Sequence, residues 1–125
     1  MSKNYLIGVD GGTESIRAGV FDTKGNPLAY SSTNYQTNFP YPGWAEQEPR
    51  DWWKALAVSV RKAVQDSGIA AEQVSALAVD TTCCSVVALD DSGDPCDKSR
   101  FICSRKDFIQ FVTQNRMSSS FNSRI

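Results

Sequence analysis

At 125 residues the chain fits one small domain, and a 41 % apolar content supports a modest core. The near-neutral total of 13 basic and 14 acidic residues hides a split: residues 1–95 carry 7 basic and 12 acidic residues (net −5), and residues 96–125 carry 6 and 2 (net +4). Histidine is absent, which excludes Ser-His and Cys-His nucleophile systems, histidine general bases and histidine-containing zinc sites within this chain and leaves proton chemistry to carboxylates. No apolar run approaches the ~20 residues that span a bilayer. Met1-Ser2-Lys3-Asn4 leads into a strand-like segment rather than a signal-peptide core, so a cytoplasmic chain is expected. Its four cysteines form no disulfide or zinc framework: Cys83 and Cys84 are adjacent, and Cys96 and Cys103 have no second ligand pair.

In chain order, residues 5–9 predict a strand that stops at Asp10-Gly11-Gly12-Thr13, residues 16–21 a second strand, and residues 28–33 a third. Tight turns join them into an antiparallel meander, the second turn being Asp22-Thr23-Lys24-Gly25-Asn26-Pro27. Residues 34–48 lack periodicity and read as an ordered surface loop. Glu48 as cap, Pro49 at the first helical position and Asp51 in the first turn open a helix that Gly68 closes. Trp53, Leu56, Ala57, Val60, Ala63 and Val64 form its expected apolar stripe. Residues 74–80 read as a largely buried strand and residues 86–89 as another. A weak internal repeat links the halves: Val9-Asp10 recurs as Val79-Asp80, and the D-x-x-G-x-P turn at residues 22–27 recurs at residues 90–95, which suggests two hairpins in one sheet. Beyond Pro95 the character changes. Residues 96–125 contain no Leu, Ala, Gly or Pro, and a basic tail, part short helix and part disordered, is expected there.

Asp10-Gly11-Gly12-Thr13 carries the most chemistry. Consecutive glycines let backbone N–H groups approach an anion, and a threonine hydroxyl can donate to a phosphate oxygen. Asp10, at the strand end, could hold Mg²⁺ directly or through water, or orient a substrate hydroxyl. A plain hairpin turn explains the same residues, Asp-Gly being its commonest signal. Cys83 and Cys84 read equally as small apolar filler, and Trp44, Trp52 and Trp53 as packing anchors. Glu46 and Gln47 suit either a sugar rim or a solvated loop, and Asp80 can simply cap its turn.

Three ordered blocks sharpen the choice: Asp-Gly-Gly-Thr-Glu-Ser-Ile-Arg-Ala-Gly-Val-Phe-Asp at residues 10–22, Pro-Gly-Trp-Ala-Glu-Gln-Glu-Pro at 42–49 followed by Asp51-Trp52-Trp53, and Ala-Val-Asp-Thr-Thr-Cys-Cys-Ser at 78–85. Together they resemble the N-terminal part of the FGGY carbohydrate kinase family, over residues 5–95. The resemblance implies an α/β fold, an incomplete actin-like (ribonuclease-H-like) ATPase domain with a mixed sheet of about five strands and one main helix. It implies MgATP-dependent phosphorylation of a sugar or polyol hydroxyl in a cleft between two such domains. By the same resemblance Asp10 lies near the metal and the reacting hydroxyl, Gly11, Gly12, Thr13 and Arg17 bind phosphate, and Thr82, Cys83 and Cys84 touch the sugar. Glycerol-kinase-like members carry an Arg-Glu pair where this chain has Cys83-Cys84, a feature similar to the ribulokinase branch, so a pentulose such as ribulose is the expected substrate.

After residue 95 the sequence is expected to depart from the family. A truncated, alternatively spliced or frame-shifted product is expected, a partial kinase-like domain at 1–95 with a divergent tail at 96–125. The resemblance implies that the general base of a second domain and the adenosine site lie outside these residues, so little activity is expected of the chain alone. A non-catalytic phosphate-binding, nucleotide-binding or regulatory module is the alternative. Six basic residues in thirty is too sparse to imply a nucleic-acid or membrane partner. An interrupted sheet leaves an unpaired edge, from which marginal folding or self-association is expected.

Overall fold

The computed structural model describes residues 4–82 and 85–96 and the backbone of residues 99–101. The predicted meander is present as β1 (Tyr5–Gly11), β2 (Ser15–Asp22) and β3 (Pro27–Asn34), paired antiparallel in sequence order. After a short strand β4 (Ala45–Gln47), helix α1 (Pro49–Ser67) carries the chain across the sheet, and a 3₁₀ turn at Ala71–Gln73 delivers it to β5 (Val74–Thr81). β5 lies parallel to β1, giving a four-stranded mixed sheet in the order β3-β2-β1-β5. The fold is the expected actin-like, ribonuclease-H-like α/β arrangement, a mixed sheet with one main helix.

Local chemistry accounts for the boundaries of α1. The Glu48 side chain accepts from the Arg50 N–H at 3.3 Å, Pro49 occupies the first turn where its missing N–H costs nothing, and Gly68 ends the helix at φ 71°, its N–H donating to the Gln65 carbonyl. The buried face is centred on Ala55, Ser59 and Ala63, flanked by half-buried Trp52, Leu56, Val60 and Val64. Trp53, expected on this stripe, is 73 % exposed. One residue advances a helix by ~100°, so placing Trp52 against the sheet turns Trp53 away from it. Small residues on the contact face let the helix approach closely, and the Ser59 hydroxyl bonds the Ile16 carbonyl at 2.9 Å and the Thr33 hydroxyl at 2.8 Å, satisfying a polar group that the sheet has buried. Opposite it, Ile7 and Val9 of β1 and Ile16, Ala18 and Val20 of β2 make the sheet's half of the core, the larger of them contributing ~1.5–3 kcal/mol each on burial.

β5 corrects two expectations. Among the described residues it is an edge strand rather than a buried one: α1 lies over β2 and β3 and reaches only part of β1, leaving Leu77 and Val79 46 % and 53 % exposed. Nor do residues 74–89 form a hairpin of the same sheet. β6 (Ser85–Val86) pairs instead with β7 (Ser99–Phe101), which also pairs with β4, in a second sheet of order β4-β7-β6. β7 lies past Pro95, where the sequence reading drew its boundary.

The D-x-x-G-x-P repeat is a repeat of hydrogen bonds. In the first turn the Asp22 carboxylate accepts from the Lys24 and Asn26 N–H groups, and the Gly25 N–H donates to the Asp22 carbonyl. In the second the Asp90 carboxylate accepts from Ser92 and Asp94, and the Gly93 N–H donates to the Asp90 carbonyl. Gly25 and Gly93 adopt φ of 86° and 84°, which only glycine tolerates cheaply.

Candidate phosphate-binding turn

Topology brings the first and third sequence blocks together. The C-terminal ends of the parallel strands β1 and β5 lie side by side, with Asp10 in register with Asp80 and Gly11 with Thr81. The Thr82 N–H then donates to the Gly11 carbonyl at 3.0 Å, tying the expected sugar-side segment to the expected phosphate turn. Cys83 and Cys84 lie outside the described residues. Across the other side of β1, Asp10 is the ladder partner of Arg17, and their side chains form an ion pair at 2.6 Å. Asp10, Gly11, Gly12, Thr13, Arg17 and Thr82 therefore occupy one end of the sheet.

Gly11 and Gly12 are not at positive φ, and what distinguishes them is the tight space around each. A Cβ on Gly11 would meet Thr81 Cγ2 at 3.2 Å, and one on Gly12 would meet the Ser15 carbonyl oxygen at 3.3 Å and the Arg17 guanidinium at 3.4 Å. The turn closes with the Gly12 N–H donating to the Ser15 carbonyl at 2.9 Å.

Three consecutive carbonyls of this turn are held from behind. Tyr35 Oη donates to Gly12 O, Gln47 Nε2 donates to Thr13 O at 2.6 Å, and the Tyr35 N–H donates to Glu14 O at 3.0 Å. Gln47 also donates to Thr37 Oγ1 and accepts from Trp52 Nε1 at 2.8 Å. Sequence reasoning missed Tyr35 and left Gln47 as a sugar-rim or solvated residue, whereas Gln47 is fully buried. The available signal was Trp52, because a buried indole N–H needs an acceptor. Burial, and secondarily the negative charge of Asp10, raises the Tyr35 pKa above its ordinary value of 10.0 and keeps the phenol a donor. Asp80 acts as a local cap, its carboxylate accepting from the Thr81 N–H at 2.9 Å.

The donor set suits a hard cation. Mg²⁺ retains several waters and binds through one or two carboxylates together with phosphate oxygens, and Asp10 offers an exposed carboxylate beside a turn that a Cβ would fill. Among the described residues no cluster of three or more acidic or thiol ligands occurs, and Asp10 is the carboxylate that could hold a metal at this turn. No helix among the described residues is long and apolar enough to cross a membrane.

The sequence pattern of the FGGY family of carbohydrate kinases, N-terminal domain, matches residues 5–107. A ribulokinase from Geobacillus thermodenitrificans is 37 % identical over 113 residues, covering 81 % of this chain and 20 % of that protein. A glycerol kinase from Ligilactobacillus salivarius is 34 % identical over 79 residues, covering 63 % of this chain and 16 % of that protein. The solved structure of a xylulose kinase from Rhodospirillum rubrum shares the fold, with a TM-score of 0.75 at 23 % identity over 89 % of this chain and 23 % of that one. The chain thus spans about a fifth of the length of the relatives it matches. With the pattern of that family's N-terminal domain matching most of its length, the chain belongs to the FGGY family of carbohydrate kinases.

Proposed function

We propose that the chain forms one wall of an ATP-dependent carbohydrate kinase site that works in the cytoplasm, with Asp10-Gly11-Gly12-Thr13 and Arg17 at the phosphates and Thr82, Cys83 and Cys84 at the sugar. The observation that carries this reading is the orientation of the turn. Its carbonyls are engaged on the protein side by Tyr35 and Gln47. In a trans peptide the following N–H points the opposite way, so the Thr13 and Glu14 amides are presented outward, as an anion requires.

In this arrangement the Asp10 carboxylate, fixed by Arg17, would share Mg²⁺ with the nucleotide and orient the acceptor hydroxyl. Bound Mg²⁺ supplies charge neutralisation at the transferring phosphoryl group. Arg17 keeps the Asp10 carboxylate at the strand end, and Thr82, hydrogen-bonded to Gly11, sets the distance between the sugar and phosphate segments. A pentulose such as ribulose is the preferred acceptor, supported by the small Cys83-Cys84 pair. Phosphoryl transfer needs nucleophile, metal and γ-phosphate placed together. The described residues provide one wall of that arrangement, so binding is the property to measure on this chain.

Calorimetric titration with MgATP, followed by D-ribulose, D-xylulose or glycerol in its presence, tests the proposal. Saturable, Mg²⁺-dependent nucleotide binding with a pentulose preferred over glycerol supports it. No binding either of MgATP or of its phosphate chain alone, supplied as magnesium tripolyphosphate, overturns the kinase-site reading, and preference for glycerol overturns the pentulose assignment.

A further inference from the structure

We propose that Tyr35 and Gln47 are positioning residues for the anion-binding turn, and that Trp52 sets the orientation of Gln47. The inference rests on the reading of residues 10–13 as a phosphate turn and assigns that turn a mechanism. Peptide planes are rigid, so a captured carbonyl fixes the direction of the next N–H. Tyr35 Oη holds Gly12 O and thereby aims the Thr13 amide; Gln47 Nε2 holds Thr13 O and thereby aims the Glu14 amide. An indole N–H can only donate. Trp52 Nε1 therefore requires the oxygen of the Gln47 amide on its side, which turns Nε2 toward Thr13 and Thr37. Gln47 is fully buried, so it has no water with which to exchange these bonds. A consequence is that the start of α1, through Trp52, is mechanically connected to the phosphate turn by a chain of two hydrogen bonds.

The test uses the full 125-residue chain with Tyr35→Phe, Trp52→Phe and Gln47→Leu, and with Gly68→Ala as a control that strains the left-handed cap at the end of α1 opposite Trp52. Residual dipolar couplings report the directions of the Thr13 and Glu14 N–H bonds, calorimetry reports MgATP binding, and thermal melting reports stability. We expect Tyr35→Phe to reorient chiefly the Thr13 amide, and Gln47→Leu and Trp52→Phe the Glu14 amide. Each should raise the MgATP dissociation constant by about tenfold, roughly the loss of one hydrogen bond's worth of alignment. Gly68→Ala should lower the melting temperature while leaving both amide directions and affinity unchanged. Unaltered amide directions in the three variants overturn the positioning role, as does an affinity loss that merely tracks melting temperature across all four. Altered directions with unaltered MgATP affinity in a binding-competent chain also overturn it. Absence of MgATP binding in the unsubstituted chain removes the phosphate-turn reading itself, and the proposal with it.

Discussion

The Asp10 carboxylate and the Arg17 guanidinium meet at 2.6 Å across the β1–β2 ladder, with 53 % and 60 % of their side chains open to solvent. Exposure at this level means that water and salt screen the pair, so its contribution to stability is about 0–1 kcal/mol. What the contact does instead is fix a negative oxygen beside two glycines whose missing side chains leave the turn open.

Stability and binding should therefore separate at these two positions. Arg17→Ala or Asp10→Asn is expected to lower the melting temperature by no more than about 4–8 °C, the equivalent of ~1 kcal/mol in a domain this size. MgATP affinity should fall by at least about tenfold, one lost charge-assisted contact being worth ~1.5–3 kcal/mol. Melting curves and calorimetry on the same samples check both.

Gly19 is constrained by crowding on the sheet face opposite α1. A Cβ there would lie 2.8 Å from Tyr30 Cε1 and 2.9 Å from Phe21 Cε2, inside an edge-to-face ring pair with centroids 5.7 Å apart. Gly19→Ala should cost about 1–3 kcal/mol through overpacking. Adding Tyr30→Ala should recover part of that loss, because removing the exposed ring vacates half of the contact; urea unfolding of the two single variants and the double variant measures the coupling.

Asp22 makes acid stability predictable in sign. Hydrogen bonds from the Asn26 side chain and backbone, with smaller help from Lys24, lower its pKa below the ordinary value of 3.8. A depressed folded-state pKa contributes stability that is present above the unfolded value and lost as pH falls through the folded value. Stability should drop below about pH 4, and Asp22→Asn should flatten that part of the pH profile in urea melts.

Tyr35 acts at the opposite end of the scale. Its folded-state pKa is raised by burial and by Asp10, so its stabilising contribution is complete below pH ~10 and disappears as pH rises through the raised value. Alkaline difference spectra should show a step above the ordinary tyrosine value that belongs to Tyr35, and Tyr35→Phe should remove both that step and the associated loss of stability.

The meander and α1 were legible because their signals are local: a D-x-x-G-x-P turn with Gly25 at positive φ, a proline at the helix start and a glycine at its end. The ends of the candidate site were legible too, since Asp10-Gly11-Gly12-Thr13 and Thr82 sit in recognisable blocks. Long-range consequences were not. The apolar run of β5 reads as buried whether or not a helix lies above it, and only the lateral position of α1 decides that Leu77 and Val79 face solvent. Ser59 disguised the true contact face of the helix, inviting Trp53 into a stripe that centres elsewhere. Tyr35 and Gln47 lie 23 and 34 residues from the carbonyls they hold, in a segment without periodicity, and their roles become visible only once the chain has folded back over the turn.

The most direct measurement is amide chemical-shift mapping of the isotope-labelled chain during titration with MgATP, repeated on Asp10→Asn. Saturable shifts concentrated at Gly11, Gly12, Thr13 and Glu14, extending to Thr82 and largely lost in Asp10→Asn, are the predicted result. Saturable binding whose shifts fall elsewhere, or no binding with Mg²⁺ present, would contradict the account.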